Sequence, residues 1–263
     1  MSVIRVFRVE HNGTVRYAVE SGGTYRLIDG DVSADGLASL QQRAEAAMKD
    51  GSPVVPARIL APVAPSKVVA IGLNYKDHAA EMNKPLPAEP LMFLKPSTAV
   101  IGPGDAIRIP PDAGRIDHEA ELGVVIGKRA SRVSAGNALE HVLGFTCLND
   151  VTARELQRKD VQYTRGKGFD TFAPIGPCIA IGVDASALDI EGWVNGERRQ
   201  GSNTRQLIFS VEQIVAFASG VMTLLPGDVI ATGTPSGVGP LNPGDEVTVK
   251  IEGIGELRNT VTI

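Results

Sequence analysis

Alternation is the first pattern along this chain. "VIRVFRV" (3–9) and "VRYAVE" (15–20) place apolar and polar residues in turn, the period of a strand with one buried face. "HNGT" between them supplies an Asn-Gly turn, and "SGG" turns again before "TYRLID". "LASLQQRAEAAMKDG" (37–51) then changes to good helix formers and stops at Gly51. Pro53, Pro56, Pro62 and Pro65 follow, a density that breaks regular structure and stiffens a connector. A boundary is expected here, with a small α+β domain over 1–56 and the main domain over 57–263.

Beyond it, short strand-like runs and turns dominate. "PGD" recurs at Pro103-Gly104-Asp105, Pro226-Gly227-Asp228 and Pro243-Gly244-Asp245, each time before strand residues ("AIRI", "VIAT", "EVTVKI"). Pro then Gly suits the central positions of a type II turn, because Gly accepts the positive φ required there. "VNGER" (194–198) reads as a tight hairpin. Two helices stand out. "NYKDHAAEMNK" has Asn74 as N-cap and Pro85 as a stop; "SVEQIVAFASGVM" has Ser210 and Gln213 in capping-box spacing. Many strands and few helices predict a mainly β, α+β fold, a sandwich or roll.

Composition narrows the function. The 263 residues are 43% hydrophobic and 21% charged, with a net charge of -4. That is an ordinary globular balance and argues against a nucleic-acid partner, which calls for a basic face. Cys147 and Cys178 form no metal or redox pattern and read as small core hydrophobes. No apolar run approaches the ~20 residues of a membrane span, and the alternating start is not a signal peptide, so a cytoplasmic protein is expected.

Candidate chemistry centres on "RIDHEAELGVVIG" (115–127). On one strand, Asp117, Glu119 and Glu121 share a face, with the two glutamates roughly 6.5 to 7 Å apart. Carboxylates that close repel unless one is protonated or a cation lies between them. The alternatives are a solvated strand end and a site for a hard divalent cation, Mg²⁺, Mn²⁺ or Ca²⁺. Asp150, where the strand-like "VLGFTCL" ends, is either a third ligand or the N-cap of the following helix. No His or Cys cluster sits at zinc spacing.

Other groups carry the same double reading. His78 and Glu81 share a helix face, as a surface pair or as a base with its orienting carboxylate. Arg154 and Gln157, also three apart, are surface polar residues or a carboxylate clamp with an oxyanion donor. Lys167 lies between Gly166 and Gly168, which suits an exposed loop or a close approach to a ligand. "ATGTPSGVG" (231–239) is a turn cluster or a pocket wall.

Together these stretches resemble the fumarylacetoacetate hydrolase family. "IGLNYKDHAAE", "FLKPSTAVIGPGD", "HEAELGVVIGK", "GFTCLNDVTARELQ", "RGKGFDTFAPIGP", "MTLLPGDVIATGTPSGVGP" and "GDEVTVKIEGIGEL" look like its blocks, in its order, from about Ser66 to the C-terminus. The resemblance implies a β-sandwich roll and a homodimer. It implies Mg²⁺ or Mn²⁺ held by Glu119, Glu121 and Asp150, with Ca²⁺ as an alternative. It assigns His78 and Glu81 to activating water, Lys167 and Gln157 to stabilising an enolate or oxyanion, and Arg154, Lys95 and Thr234 to contacting substrate. Larger eukaryotic members carry a further aspartate ligand near Asn74, so three protein carboxylates plus water are expected here. Asp117 shares the face but matches no ligand of the family, and His118 points the other way; both are expected to support the site.

The implied substrate is a small 2-oxo acid such as an acylpyruvate. With a metal as electron sink, His78 takes a proton from water, the water attacks the distal carbonyl, and C–C cleavage releases a pyruvate-type enolate. The same sink serves decarboxylation of oxaloacetate-like acids. It also serves isomerisation of 2-hydroxyhepta-2,4-diene-1,7-dioate type, including 5-oxopent-3-ene-1,2,5-tricarboxylate decarboxylation, in aromatic catabolism. The residues fix the enolate-forming core and leave the reaction open.

Overall fold

The strand Ala120–Ile126 is buried at every position, and the fold is arranged around it. Such a run needs cover on both faces. In this computed structural model, which describes residues 3–30 and 39–263, the strand pairs antiparallel with Val142–Asn149 and with Val229–Ala231. Val229–Ala231 runs parallel to Lys67–Gly72, which pairs with Leu91–Pro96. In the other direction the sheet passes through Ala173–Ile181 to Ile4–His11, Thr14–Ser21 and Thr24–Ile28. Ile4 faces Ile181 across that junction.

Each face of the sheet packs against a different partner. Leu122, Val124 and Ile126 join Ile190, Val249, Ile251 and Leu257, from a five-stranded sheet that includes Asp189–Val194, Glu246–Ile251 and Gly255–Thr262. Ile214, Val215 and Ala218 of the helix Val211–Val221 seal the same core. Val125, one residue out of step, points to the other side. There Leu40, Ala44 and Ala47 of the helix Leu40–Asp50 close a second core. The mainly β class expected from the alternation is the one observed. Among the described residues no helix is long and apolar enough to cross a membrane.

Several local expectations hold. Asn12 and Gly13, and Asn195 and Gly196, adopt positive φ in their hairpins. Ser210 and Gln213 form a capping box. The helix ending at Asp50 begins at Leu40; its expected first residues, Leu37 and Ala38, lie outside the described residues. The glycines of all three Pro-Gly-Asp turns have positive φ, from +77° to +93°. Each aspartate adds what Pro-Gly alone does not: its carboxylate accepts the backbone N–H three residues earlier, at Gly102, Leu225 and Asn242.

Asp228 does more than close its turn. Fully buried, it also accepts from Ser66 N and Oγ and from Lys67 Nζ at 2.5 Å, tying two neighbouring strands together. Asp228→Ala leaves these donors unpaired, so a loss of about 3 kcal/mol is expected, read as a lower urea midpoint. A midpoint within error of the parent overturns this role.

Three expectations are corrected. The proline-rich connector holds regular structure, because Pro53–Val54 and Arg58–Leu60 pair at positions where a missing N–H is tolerated. Asn74 is not a helix cap. The helix Lys76–Glu81 begins after Tyr75, and the Asn74 amide donates to Phe209 O and Thr232 O while accepting from Phe209 N. "RIDHEAELGVVIG" is two strands. Ile116–His118 joins Thr152–Ala153 and Gly239–Leu241 in a separate small sheet, and the chain breaks at Glu119 before entering the large one.

Candidate active site

The break at Glu119 creates the site. Glu119 N donates to the Asn149 side chain, and Glu119 O accepts from Asp150 N at 2.9 Å, so the interruption is clamped to the end of Val142–Asn149. This brings Asp150 beside Glu119 and Glu121. The three buried carboxylates each offer an oxygen, and these oxygens lie within 4.8 Å of one another. Asp150 is not a helix N-cap, the role left open for it: Arg154–Asp160 starts after Ala153, without a side-chain cap.

Cations crowd the same spot. Lys167 Nζ donates to Glu119 Oε2 at 2.7 Å and Asp150 Oδ2 at 2.5 Å. Arg154 fans across Asp117 Oδ2, Glu119 Oε1 and Gln157 Oε1 at 2.8, 2.5 and 2.6 Å. Burial alone raises the Glu119 carboxyl, but Lys167 and then Arg154 outweigh it and hold it down at about 2. Glu121 is in the opposite position. Burial, then Asp150 and Glu119, push its carboxyl well above the usual range. Its one hydrogen bond comes from Gly233 N at 2.8 Å. Gly233 has φ +99° and lies against Asn74, where a Cβ would sit 2.7 Å from the Asn74 Cβ, so only glycine brings this amide to Glu121.

The donor set tests the fit of a metal. Three clustered carboxylates, one of them lacking a basic side-chain partner and crowded by its two neighbours, form an all-oxygen set suited to a hard divalent cation. Asn74, committed to backbone partners, adds no fourth carboxylate.

Lys167 reaches the cluster from a short helix, Thr164–Lys167. Gly166 serves that packing: a Cβ there would meet Gln157 N at 2.8 Å, so the glycine admits the neighbouring helix backbone and not a ligand. Phe93 backs the ammonium at 5.1 Å and stacks edge-on with Tyr163.

His78 and Glu81 stand on another wall. Glu81 Oε2 lies 2.9 Å from His78 Nδ1. A carboxylate only accepts, so Nδ1 carries the hydrogen and Nε2 keeps a lone pair for a proton. Glu81 Oε1 accepts from Gly237 N at 3.0 Å, and Asp77 on the same helix accepts from Ser202 Oγ. These two contacts fix the helix that carries His78.

One cavity of about 370 Å³ joins these parts. His78, Glu119, Glu121, Asp150, Arg154, Gln157, Lys167 and Thr234 all line it, although they come from segments up to 156 residues apart. Glu81 stands behind His78. Lys95, expected to contact substrate, does not reach the cavity. It is fully buried, with Nζ bound to Asp150 Oδ1 and Val151 O, because its strand runs behind Asp150; its reach is to the carboxylate alone. The Thr234 hydroxyl donates to Ala120 O.

Sequence reasoning missed Gln200. Its Oε1 accepts from Ala120 N and faces His118 Nδ1; its Nε2 donates to Thr234 Oγ1 and Pro235 O. All of its hydrogen-bonding capacity ties the strand break to the Thr234 loop. A lone Gln in the polar strand "ERRQGSN" carries no local signal of this. Asp117, set aside as a ligand, grips Arg154 and Arg115, so the supporting role expected of it is the one seen.

A β-rich fold that places a carboxylate cluster and a His-Glu pair around one cavity defines an enzyme site. The chain belongs to the fumarylacetoacetate hydrolase family: the fumarylacetoacetate (FAA) hydrolase C-terminal family matches residues 67–262. The solved fumarylacetoacetate hydrolase of psychrophilic Exiguobacterium antarcticum has a TM-score of 0.86 at 38% identity, covering 98% of this chain and 99% of that one. The 5-carboxymethyl-2-hydroxymuconate delta-isomerase of Mycobacterium smegmatis has a TM-score of 0.85 at 42% identity, covering 98% of each. The mitochondrial oxaloacetate tautomerase FAHD2B of Bos taurus is 45% identical over 225 residues, 80% of this chain and 72% of its own. Hydrolase, isomerase and tautomerase thus surround this enzyme.

Proposed function

We propose that this protein cleaves a C–C bond in small, acylpyruvate-like 2-oxo acids through an enolate, by hydrolysis or decarboxylation, with Mg²⁺ or Mn²⁺ as cofactor. The observation that supports this reading best is the single cavity shared by the oxygen cluster and the His78–Glu81 pair. Glu119, Glu121 and Asp150 would hold the metal, which when bound supplies a Lewis acid beside the substrate oxygens. Lys95 holds Asp150 in place from behind. Lys167 uses two of its three N–H donors on Glu119 and Asp150, and the third is available to a developing enolate oxygen. Gln157 and Arg154 orient the inner carboxylate. In hydrolysis, His78 Nε2 takes a proton from water, and the hydroxide adds to the distal carbonyl. The C–C bond then breaks, its electron pair passes into the pyruvate-type enolate, and a proton returns to carbon. Glu81 steadies the imidazolium. A homodimer in solution belongs to the same reading and is checked by light scattering.

The second reading is isomerisation or keto–enol exchange, favoured by the names of the 42% and 45% identical relatives. It uses the enolate-forming end without an attacking water. A panel of oxaloacetate, acetylpyruvate, fumarylpyruvate and the homoprotocatechuate-pathway dioates, each with Mg²⁺ and with Mn²⁺, separates the two. Cleavage products are expected. Double-bond or keto–enol interconversion without cleavage selects the second reading, and no turnover of any 2-oxo acid sinks both.

Metal binding should depend on pH with a definite sign. The Glu121 carboxyl is raised, so it holds a proton where ordinary carboxylates have lost theirs, and an incoming ion must displace that proton. Mg²⁺ affinity is therefore expected to fall as pH drops through the raised value and to strengthen above it. Calorimetry in buffers of different ionisation enthalpy should show proton release; a pH-independent affinity without release contradicts the assignment.

A further inference from the structure

The cavity has a charge pattern from floor to mouth. At the floor each cation meets acids: Lys167 at Glu119 and Asp150, Arg154 at Asp117 and Glu119, and Arg115 at Asp117. Two further lining cations, Lys84 and Arg158, are exposed and have no acidic or hydrogen-bonding side-chain partner among the described residues. Each stands just beyond a group already placed in the site. Arg158 follows Arg154 by one turn of the helix Arg154–Asp160, and exposure rises along that turn from an Arg154 side chain 17% accessible to an exposed Arg158. Lys84 lies in the turn that closes the helix of His78, its N–H donating to Ala79 O after Asn83 at φ +50°. Leu73, Leu91 and Val238 line the same cavity with apolar surface.

We infer that Lys84 and Arg158 form a subsite for a second, distal carboxylate, so that the preferred substrates are short 2-oxo dicarboxylic acids. The inference rests on the 2-oxo acid reading above and names the substrate class within it. Arg154 and Arg158 are separated by one turn, a rise of ~6 Å, which matches an inner and an outer carboxylate joined by a chain of about four to six carbons. Two unneutralised cations also make the mouth locally positive in a protein of net charge -4, drawing a dianion in ahead of a monoanion. Lys is a mobile point charge and Arg a planar fork, so Arg158 sets the orientation and Lys84 follows the ligand.

The test compares 2-oxoglutarate with 2-oxopentanoate, which has the same chain length and lacks the distal carboxylate. Binding of both is measured by calorimetry with saturating Mg²⁺. The parent enzyme is expected to bind 2-oxoglutarate at least tenfold more tightly. The Lys84→Met/Arg158→Met double variant should lose that preference while holding 2-oxopentanoate within about twofold, and Arg158→Glu should reverse it. Both positions are exposed, so melting curves should match the parent. Equal affinity for the two acids in the parent, or an unchanged preference in the double variant, overturns the subsite and leaves the 2-oxo acid reading intact. Binding of neither acid to the parent removes that reading and the subsite together.

Discussion

Asp150→Asn is expected to weaken Mg²⁺ binding by roughly 100-fold or more, beyond the 10–100-fold typical of outer-shell partners, and to abolish turnover. Asp150 is the point where ligand geometry and charge balance meet. One oxygen faces Lys95, the other faces Lys167, and the pair stands beside Glu119 and Glu121. An asparagine keeps the shape and loses the charge. With Mg²⁺ at 100 times the parent Kd, binding contributes about 2.7 kcal/mol of stability, nearly all of which a 100-fold weaker site forfeits. For a chain of this size that corresponds to a fall in Tm on the order of 5–10 °C. The substitution also leaves two buried lysines short of a partner, which lowers Tm with or without metal. The metal-specific part is therefore the difference between Mg²⁺ and EDTA. An equal Mg²⁺-induced rise in parent and variant removes Asp150 from the ligand set.

His78→Ala separates the base from the metal. Loss of a positioned base costs about 10²–10⁴ in kcat. His78 belongs to a different wall from the carboxylates, so Mg²⁺ affinity should stay within about twofold of the parent. Hydrolysis needs the attacking water and decarboxylation does not, so the deficit should be larger for an acylpyruvate than for oxaloacetate. Equal deficits for both would remove water activation as the role of His78 and leave it a positioning residue. Full turnover in the variant would remove it from the mechanism.

Local relations were legible in the sequence. His78 and Glu81, three apart on a helix, had to share a face, and they meet at 2.9 Å. The Asn-Gly and Pro-Gly turns and the capping box at Ser210 are dictated by φ preferences and by spacing within four residues. The apolar run after Glu121 announced a strand covered on both faces. Asp150 and the glutamates were identified as a set from residue type and from ordered blocks, and the fold brings their oxygens together.

What spacing could not reveal depends on pairing across the chain. Strand alternation put Asp117, Glu119 and Glu121 on one continuous face. The break at Glu119 comes instead from Asn149 and Asp150, thirty residues on, which capture its N–H and C=O. Lys95 looked like a substrate contact until its strand was seen to pass behind Asp150. Gln200 carries no local mark because all its partners come from other elements. The sequence by itself determined the chemistry available: oxygen ligands, a His-Glu pair, basic residues and the turns that space them. Tertiary structure alone decided which cation neutralises which acid, which carboxylate is left crowded, and which cations remain free at the mouth. Backbone sterics act over a few residues and can be read in order. Charge pairing and desolvation depend on distances that exist only after register and packing are set.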